Sequence, residues 1–304
     1  MTVMAHRIGI DLGGTKIEIV VLGATGAIAL RRRAPTPAGD YAATLEAIKT
    51  LVLEAESEIG TRASVGIAMP GALSLATGLV KNSNSTCLNG RPFLHDVQAV
   101  LGREVRVQND ANCFALSEAV DGAGQGASVV FGVILGTGVG GGIVIDGKVL
   151  AGANAIAGEW GHNPLPLVGA EGEPLPACYC GRRGCVEAYL SGPAMTADHE
   201  RVAGERLDAV TIARRAANGD TACAATLDRH ARRMARALAS VVNILDPDVI
   251  VLGGGLSNLS HLYDRVPALW GPHVFSDEVR TRLVPPRHGD SSGVRGAAWL
   301  WGNA

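Results

Sequence analysis

RIGIDLGGTKIEIVVLGATG, residues 7–26, decides the fold. Ile8, Ile10 and Leu12 alternate along one strand, Gly13-Gly14 supplies a turn, and Ile17, Ile19 and Val21 alternate along a second strand. VVFGVILGTGVGGGIVIDGKVL, residues 129–150, repeats the plan and ends in a turn at Asp146-Gly147. Two hairpins of one design, about 120 residues apart, predict two halves built alike.

The segments between and after them alternate in type. Tyr41, Leu45, Ile48, Val52 and Ala55 follow helical spacing, whereas VGIAMPG and EVRVQND read as strands ending in turns. Leu227, Ala231, Met234, Leu238, Val241 and Leu245 mark a long amphipathic helix stopped at Asp246-Pro247. VIVLGGG then reads as a buried strand entering another glycine turn. This mixture argues for an α/β protein, and 304 residues suit two moderate cores. The predicted division is a small α/β domain over 1–117, completed by a C-terminal helix within 289–304, and a larger α/β domain over 118–288.

Composition narrows the function classes. A formal net charge of −2 leaves no basic face for nucleic acid. No run of 18 apolar residues exists to span a membrane. MTVMAHRIGID lacks the apolar segment of a secretory signal, so a cytoplasmic location is expected. In a reducing compartment a structural disulfide is disfavoured. CYCGRRGC, residues 178–185, which holds three of the six cysteines, therefore leans toward metal or catalysis. A redox pair would use C-x-x-C, which is absent.

Glycine is the other loud signal: 40 of 304 residues, close to twice the usual share of about 7%, and clustered in turns. GTGVGG, residues 136–141, fits a dinucleotide pattern, but IVIDGK continues as a strand where that site needs a helix. Gly142–Lys148 imitates a P-loop, but Val149 stands where Ser or Thr must hold Mg²⁺. What remains is a pair of β-turn-β loops, DLGGTK and LGTGVGGG, whose backbone N–H groups can ring an anion without interference from Cβ atoms. Thr15 and Thr137 add hydroxyl donors, and Asp11 ends a strand where it can hold Mg²⁺ directly or through water.

DLGGTK, NDAN, GTGVGGG, EWGH, CYCGRRGC and VLGGG, in this order, resemble the ROK family of sugar kinases and repressors over residues 7–301. KNSNSTCLNGRPF, EWGHNPLP and HGDSSGVRGAAWLW are similar to the version found in bacterial fructokinases of the mannofructokinase type; Cys87 departs from it, lying where those enzymes often carry Trp. The resemblance implies a two-domain actin-like ATPase (ribonuclease H-like) fold with ATP and a sugar in a cleft between the domains. It implies an ATP and Mg²⁺ site at Asp11, Gly13, Gly14, Thr15, Lys16, Gly136, Thr137 and Gly138, with Gly253, Gly254 and Gly255 approaching the adenosine.

Phosphoryl transfer needs positioned phosphates, a divalent cation and an oriented hydroxyl. The resemblance makes Asp110 the general base for that hydroxyl, although Asn109-Asp110 followed by ALSEAV also reads as a helix cap. It gives Glu159, His162 and Glu187 to the sugar hydroxyls, with Asn84, Asn109 and Asp110 as further partners. It also resolves the cysteines: His162, Cys178, Cys180 and Cys185 become a Cys₃His set for a structural zinc, and Cys87, Cys113 and Cys223 are packing residues.

The expected activity is therefore that of an ATP:D-fructose 6-phosphotransferase acting as a homodimer. Glucokinase, mannokinase and N-acetylhexosamine kinase are the alternatives. A ROK repressor would carry an N-terminal helix-turn-helix, for which the residues before Asp11 leave no room. An actin-like ATPase whose output is motion would use the phosphate loops but give no reason for Glu159, His162, Glu187 and the cysteine set.

Overall fold

The computed structural model describes residues 6–166 and 173–302. Residues 7–35 form an antiparallel meander of β1 (Arg7–Leu12), β2 (Lys16–Leu22) and β3 (Ile28–Pro35). α1 (Tyr41–Ile59) follows; the Asp40 side chain caps it by accepting from Ala43 N, and Gly60 stops it in the left-handed conformation. β4 (Ser64–Met69) returns parallel to β1. The short pair β5 (Ala72–Leu73) and β6 (Val80–Lys81), then α2 (Phe93–Leu101), lead to β7 (Val105–Asn109), parallel to β4, and α3 (Asp110–Val120).

The second half runs β8 (Val129–Leu135), β9 (Val139–Ile145), β10 (Lys148–Val149), α4 (Glu187–Leu190), α5 (Gly192–Ala203), α6 (Ala209–Ala217) and α7 (Thr221–Leu245). It continues with β11 (Val249–Gly253), α8 (His261–Arg265), α9 (Pro267–Trp270) and β12 (Arg282–Val284), and α10 (Ser292–Trp299) follows. The sheets have orders β3-β2-β1-β4-β7 and β10-β9-β8-β11-β12. In both, parallel pairing begins at the first strand of the hairpin: β1 with β4, β8 with β11. The likeness of the two hairpins thus extends to whole sheets.

β1 is buried on both faces, although its sequence alternates. The reason lies at the other end of the chain. Gly9 and Gly66 face each other in register on β1 and β4. A Cβ on Gly9 would collide with Val294 O, one on Gly66 with Ala297 O, and one on Gly296 with Cys113 O. The backbone of α10 therefore lies directly on the sheet and on α3, while Ile8, Ile10, Ile17, Ile19, Ile48 and Phe93 fill the opposite side.

The chain divides into two compact units: Met1–Gly126, Gly142–Ala157 and Asp290–Ala304 in one, Ala127–Gly141 and Gly158–Gly289 in the other. A boundary at 117 would cut α3. Residues 118–126 and 142–157 sit with the first unit because Asp121 accepts from Arg295 and from the Trp299 indole, and because Gly142 lies against the α3 backbone.

In the second unit α7 buries polar side chains on its core face, and each finds partners. Arg233 bridges Glu173 (2.6 Å) and Asp198 (3.0 Å), and Asp198 also accepts from Arg201 and Arg229. His230 donates from Nε2 to Leu190 O at the end of α4 (3.1 Å). Among the described residues no helix is long and apolar enough to cross a membrane.

Candidate active site

In the first unit the DLGGTK turn is closed by Gly13 N donating to Lys16 O (3.0 Å), and the Thr36 hydroxyl donates to Gly13 O (2.7 Å). Gly14, Thr15 and Lys16 are exposed. The Lys16 amine pairs with the buried Glu18 (3.7 Å), which Arg31 and Arg33 also grip. Asp11 is pushed up to about 6, first by burial and then by the charge of Asp110. The two carboxylates therefore share one neighbourhood, as paired acidic groups do at a cation or proton-transfer site.

Asn109, not Asp110, is the cap of α3. Its Oδ1 accepts from Ala111 N (2.9 Å) and Asn112 N (3.4 Å), and its Nδ2 donates to Gly71 O (3.1 Å). The Asn109 amide is thus engaged by backbone. Asp110 occupies the first helical position with its carboxylate exposed, where the helix N-terminus favours negative charge. Asn84 is exposed on a loop locked by a reciprocal pair, Ser83 N to Asn89 Oδ1 (2.9 Å) and Asn89 Nδ2 to Ser83 O (2.8 Å). The Ser85 hydroxyl of this loop lies 3.7 Å from where a Gly14 side chain would begin, so loop and turn are neighbours.

In the second unit the GTG turn is closed by Gly136 N to Gly138 O (3.0 Å) and tied to α5 by Gly192 N to Gly136 O (2.8 Å). Glu187, at the start of α4, accepts from Val139 N (2.9 Å), and a side chain on Gly138 would come within 2.7 Å of its carboxylate. Trp160 is buried edge-on against Phe131 (5.7 Å) and donates its indole N–H to Gly140 O (3.0 Å). A side chain on Gly161 would run into Val139 O. EWGH is thus bolted to the glycine hairpin, which brings Glu159, His162, Glu187 and the Gly136–Gly138 turn together.

Two further features of this unit were legible only in part. The Gly253–Gly255 turn packs on the end of β8: Gly254 has φ 78°, and a Cβ there would strike Leu135 O. Just beyond it opens a cavity of about 450 Å³ floored by Ala213, Ala216 and Ala217 of α6 and Leu227 of α7, with Asn258, Ser260 and His261 at its rim. Its lining, with alanines on α6 and α7, is spread over those helices and the segment around α8, which leaves no motif to read.

The CYCGRRGC segment is a knuckle. Cys178 N donates to Arg182 O (2.8 Å) and Gly181 N to Cys178 O (3.0 Å), with Gly181 and Gly184 both at positive φ. The donor atoms of His162, Cys178, Cys180 and Cys185 all lie within 4.8 Å of one another. Zinc bonds of about 2.3 Å to sulfur and 2.0–2.1 Å to nitrogen imply tetrahedral edges of about 3.8 Å between sulfurs and about 3.6 Å from sulfur to nitrogen. The Cys180–Cys185 separation is 3.7 Å and Cys178 Sγ to His162 Nδ1 is 3.6 Å. Burial and the neighbouring thiols push Cys185 up to about 12, the crowding a bound dication would relieve. The residues fit a closed, structural zinc.

His162 Nε2, opposite the cysteines, lies 3.1 Å from the Tyr179 hydroxyl. Partial desolvation of its hydroxyl against His162, then the charges of Glu187, Cys178 and Glu159, push the Tyr179 phenol above its ordinary value, although the residue as a whole is exposed. No reading of the sequence singled Tyr179 out, although it stands in the middle of the cysteine motif.

Paired glycine hairpins with duplicated sheets are the architecture that the sugar-kinase motifs predict, with a carboxylate pair near one turn and Glu187 beside the other. Residues 7–304 match the family model described as ROK family. The chain belongs to the ROK family, and within it to the sugar kinases. It is 43% identical over 296 residues to an N-acetyl-D-glucosamine kinase of Erwinia tasmaniensis, covering 96% of this chain and 98% of that protein. An N-acetyl-D-glucosamine kinase of Vibrio cholerae is 40% identical with the same coverage. Among solved structures, a ROK hexokinase from Thermus thermophilus superposes with TM-score 0.86 at 31% identity, 97% of each chain being covered. A ROK family glucokinase from Streptomyces griseus in complex with glucose and AMPPNP gives 0.74 at 28%, covering 97% of this chain and 98% of that one. The actin-like α/β fold expected from the motifs is therefore the fold of this chain. The expectation of fructose is not matched by the sugar these curated relatives are named for.

Proposed function

We propose that the protein transfers the γ-phosphoryl group of ATP to the 6-hydroxyl of a hexose, with N-acetyl-D-glucosamine as the preferred sugar. The observation that carries the transfer reading is Asp110: an exposed carboxylate at the first position of α3, in the same neighbourhood as Asp11 and on the unit that bears the DLGGTK turn. Asp110 takes the proton of the sugar hydroxyl, whose oxygen attacks the γ-phosphorus as its bond to the β,γ-bridging oxygen breaks and ADP leaves. The Gly13–Lys16 and Gly136–Gly138 turns hold phosphate oxygens through their N–H groups. The apolar alanine-floored cavity beyond Gly253–Gly255 suits the flat face of adenine. Glu159 and Glu187 hold sugar hydroxyls, with His162 beside them.

Asp11, its carboxyl raised to about 6 by burial and by Asp110, fits a divalent cation, whose charge would relieve that crowding. Mg²⁺ there would neutralise phosphate charge. Zinc on His162, Cys178, Cys180 and Cys185 would fix the knuckle.

N-acetyl-D-glucosamine is favoured by relatives that are 40–43% identical over nearly the whole chain. A second reading, fructose, rests on KNSNSTCLNGRPF (residues 81–93) and EWGHNPLP (residues 159–166). An ATP-coupled assay over N-acetyl-D-glucosamine, fructose, mannose and glucose decides between them. The highest kcat/KM on N-acetyl-D-glucosamine is expected. A higher value on fructose moves the assignment to the second reading, and turnover of none of them removes the kinase.

A further inference from the structure

Tyr179 is 84% exposed, although it sits between two cysteines of a tight knuckle. Its ring is not loose: it stands edge-on to His162, centroids 5.2 Å apart at 82°. Its hydroxyl meets Nε2 of the same imidazole at 3.1 Å, while Nδ1 faces Cys178 Sγ at 3.6 Å. An imidazole that gives one nitrogen to a metal keeps its proton on the other. With Nδ1 toward the sulfurs, Nε2–H is the donor and Tyr179 Oη the acceptor. The phenol then has its own O–H left to give. Cys178 and Cys180 flank Tyr179 in the chain, so the knuckle's hydrogen bonds hold its backbone.

The outward nitrogen of His162 is the one a sugar hydroxyl would meet, and Tyr179 stands on it. Glu159 and Glu187 are close enough for their charge to act on the phenol. A sugar held by those carboxylates that turns toward the outward nitrogen of His162 meets the Tyr179 hydroxyl there. We propose that Tyr179 is a specificity-determining residue of the sugar site. It accepts from His162 Nε2–H, donates its O–H to a sugar oxygen, and its ring walls off the substituent on that side. This rests on the sugar-kinase reading above.

The test uses Tyr179→Phe, which keeps the wall and loses the donor, and Tyr179→Gly, which loses both. Steady-state kinetics are run with ATP on N-acetyl-D-glucosamine, glucose, mannose and fructose, which differ around carbons 1 and 2. Zinc content, melting temperature and calorimetric sugar binding are measured alongside. Tyr179→Phe should raise KM for the preferred sugar about 5- to 20-fold, the range of one lost hydrogen bond whose partner stays polar, with KM for ATP, zinc and melting temperature unchanged. Tyr179→Gly should change the ranking of the four sugars by about tenfold or more, as pocket shape does.

A merely structural role predicts instead lost zinc or stability and one common factor for every sugar. That result, or sugar ratios and KM values unchanged in both variants, overturns the proposal. Wild-type enzyme active on any of the four sugars keeps the kinase reading whatever Tyr179 does. Wild-type enzyme that neither turns over nor binds any of them ends both.

Discussion

The two glycine hairpins share strand order and differ in what their glycines admit. In the first unit the telling glycines, Gly9 and Gly66, lie in mid-strand and admit a helix backbone onto the sheet. In the second, Gly138 and Gly161 lie at the turn and beside it, and admit the Glu187 carboxylate and the EWGH segment. One design thus seats a helix in one half and, on the proposed function, the sugar-facing residues in the other. Similar strands do not imply similar work; the close contacts do.

The sharpest way to break this contrast is at α3. Asp110→Asn should lower kcat by about 10² to 10⁴, the usual cost of a lost general base, with little change in sugar KM or melting temperature. Asn109→Ala, one residue earlier, should instead cost about 1 kcal/mol of stability, since it removes the cap. A melting loss in the Asp110 variant with kcat kept would exchange the two roles.

Next in size is Gly66→Ala. The added methyl has nowhere to go except into Ala297 O, so α10 must lift, at a cost of about 3 kcal/mol by chemical denaturation. Gly271→Ala, where nothing lies within 4 Å, is the control and should be near neutral.

Acid should loosen the second unit through α5 and α7. Burial pushes His230 down to about 4, so the neutral imidazole contributes stability above the unfolded value near 6.5 and loses it as pH falls toward 4. The bonds of Asp198 to Arg233, Arg201 and Arg229 outweigh its desolvation and hold its carboxyl down at about 2. Its share, on the order of 2 kcal/mol, is present above about pH 4 and lost between there and pH 2. Hydrogen exchange of α7 amides between pH 7 and 3 should follow this course, and Asp198→Asn should flatten its lower limb.

The smallest effect tests the metal. Purified protein should carry one zinc per chain. Cys180→Ser should lose it and raise sugar KM about tenfold, with ATP binding little changed, in the range of a disturbed ligand shell. Circular dichroism must show the variant folded. Folded, zinc-free protein with unchanged KM would reduce the knuckle to a staple.

What could be read in the sequence was local. Gly-Gly turns and the helix stop at Asp246 speak within a few residues, and each produced the element expected of it, while the cysteine spacing brought its donor atoms within 4.8 Å of one another. What could not be read is long-range. The seat for α10 joins Gly9 to Val294, so nothing near Gly9 tells it from an ordinary strand glycine. Asn109 and Asp110 are equally good caps on paper; only the backbone angle at Asn109 chose between them. On α7, Val242 rather than Val241 faces the core, a drift of one position over a long helix. The preferred sugar depends on groups such as Tyr179 whose chemistry is set by a neighbour seventeen residues away.

The seat of α10 also orders the birth of the protein. Strands β1 and β4 are made early, yet the helix that covers their glycine face is encoded after the whole of the second unit. During synthesis the first sheet must wait with Gly9 and Gly66 bare until α10 is available. The unit that holds the first strands is thus completed only by Ser292–Trp299, and until α10 docks its glycine face stays uncovered.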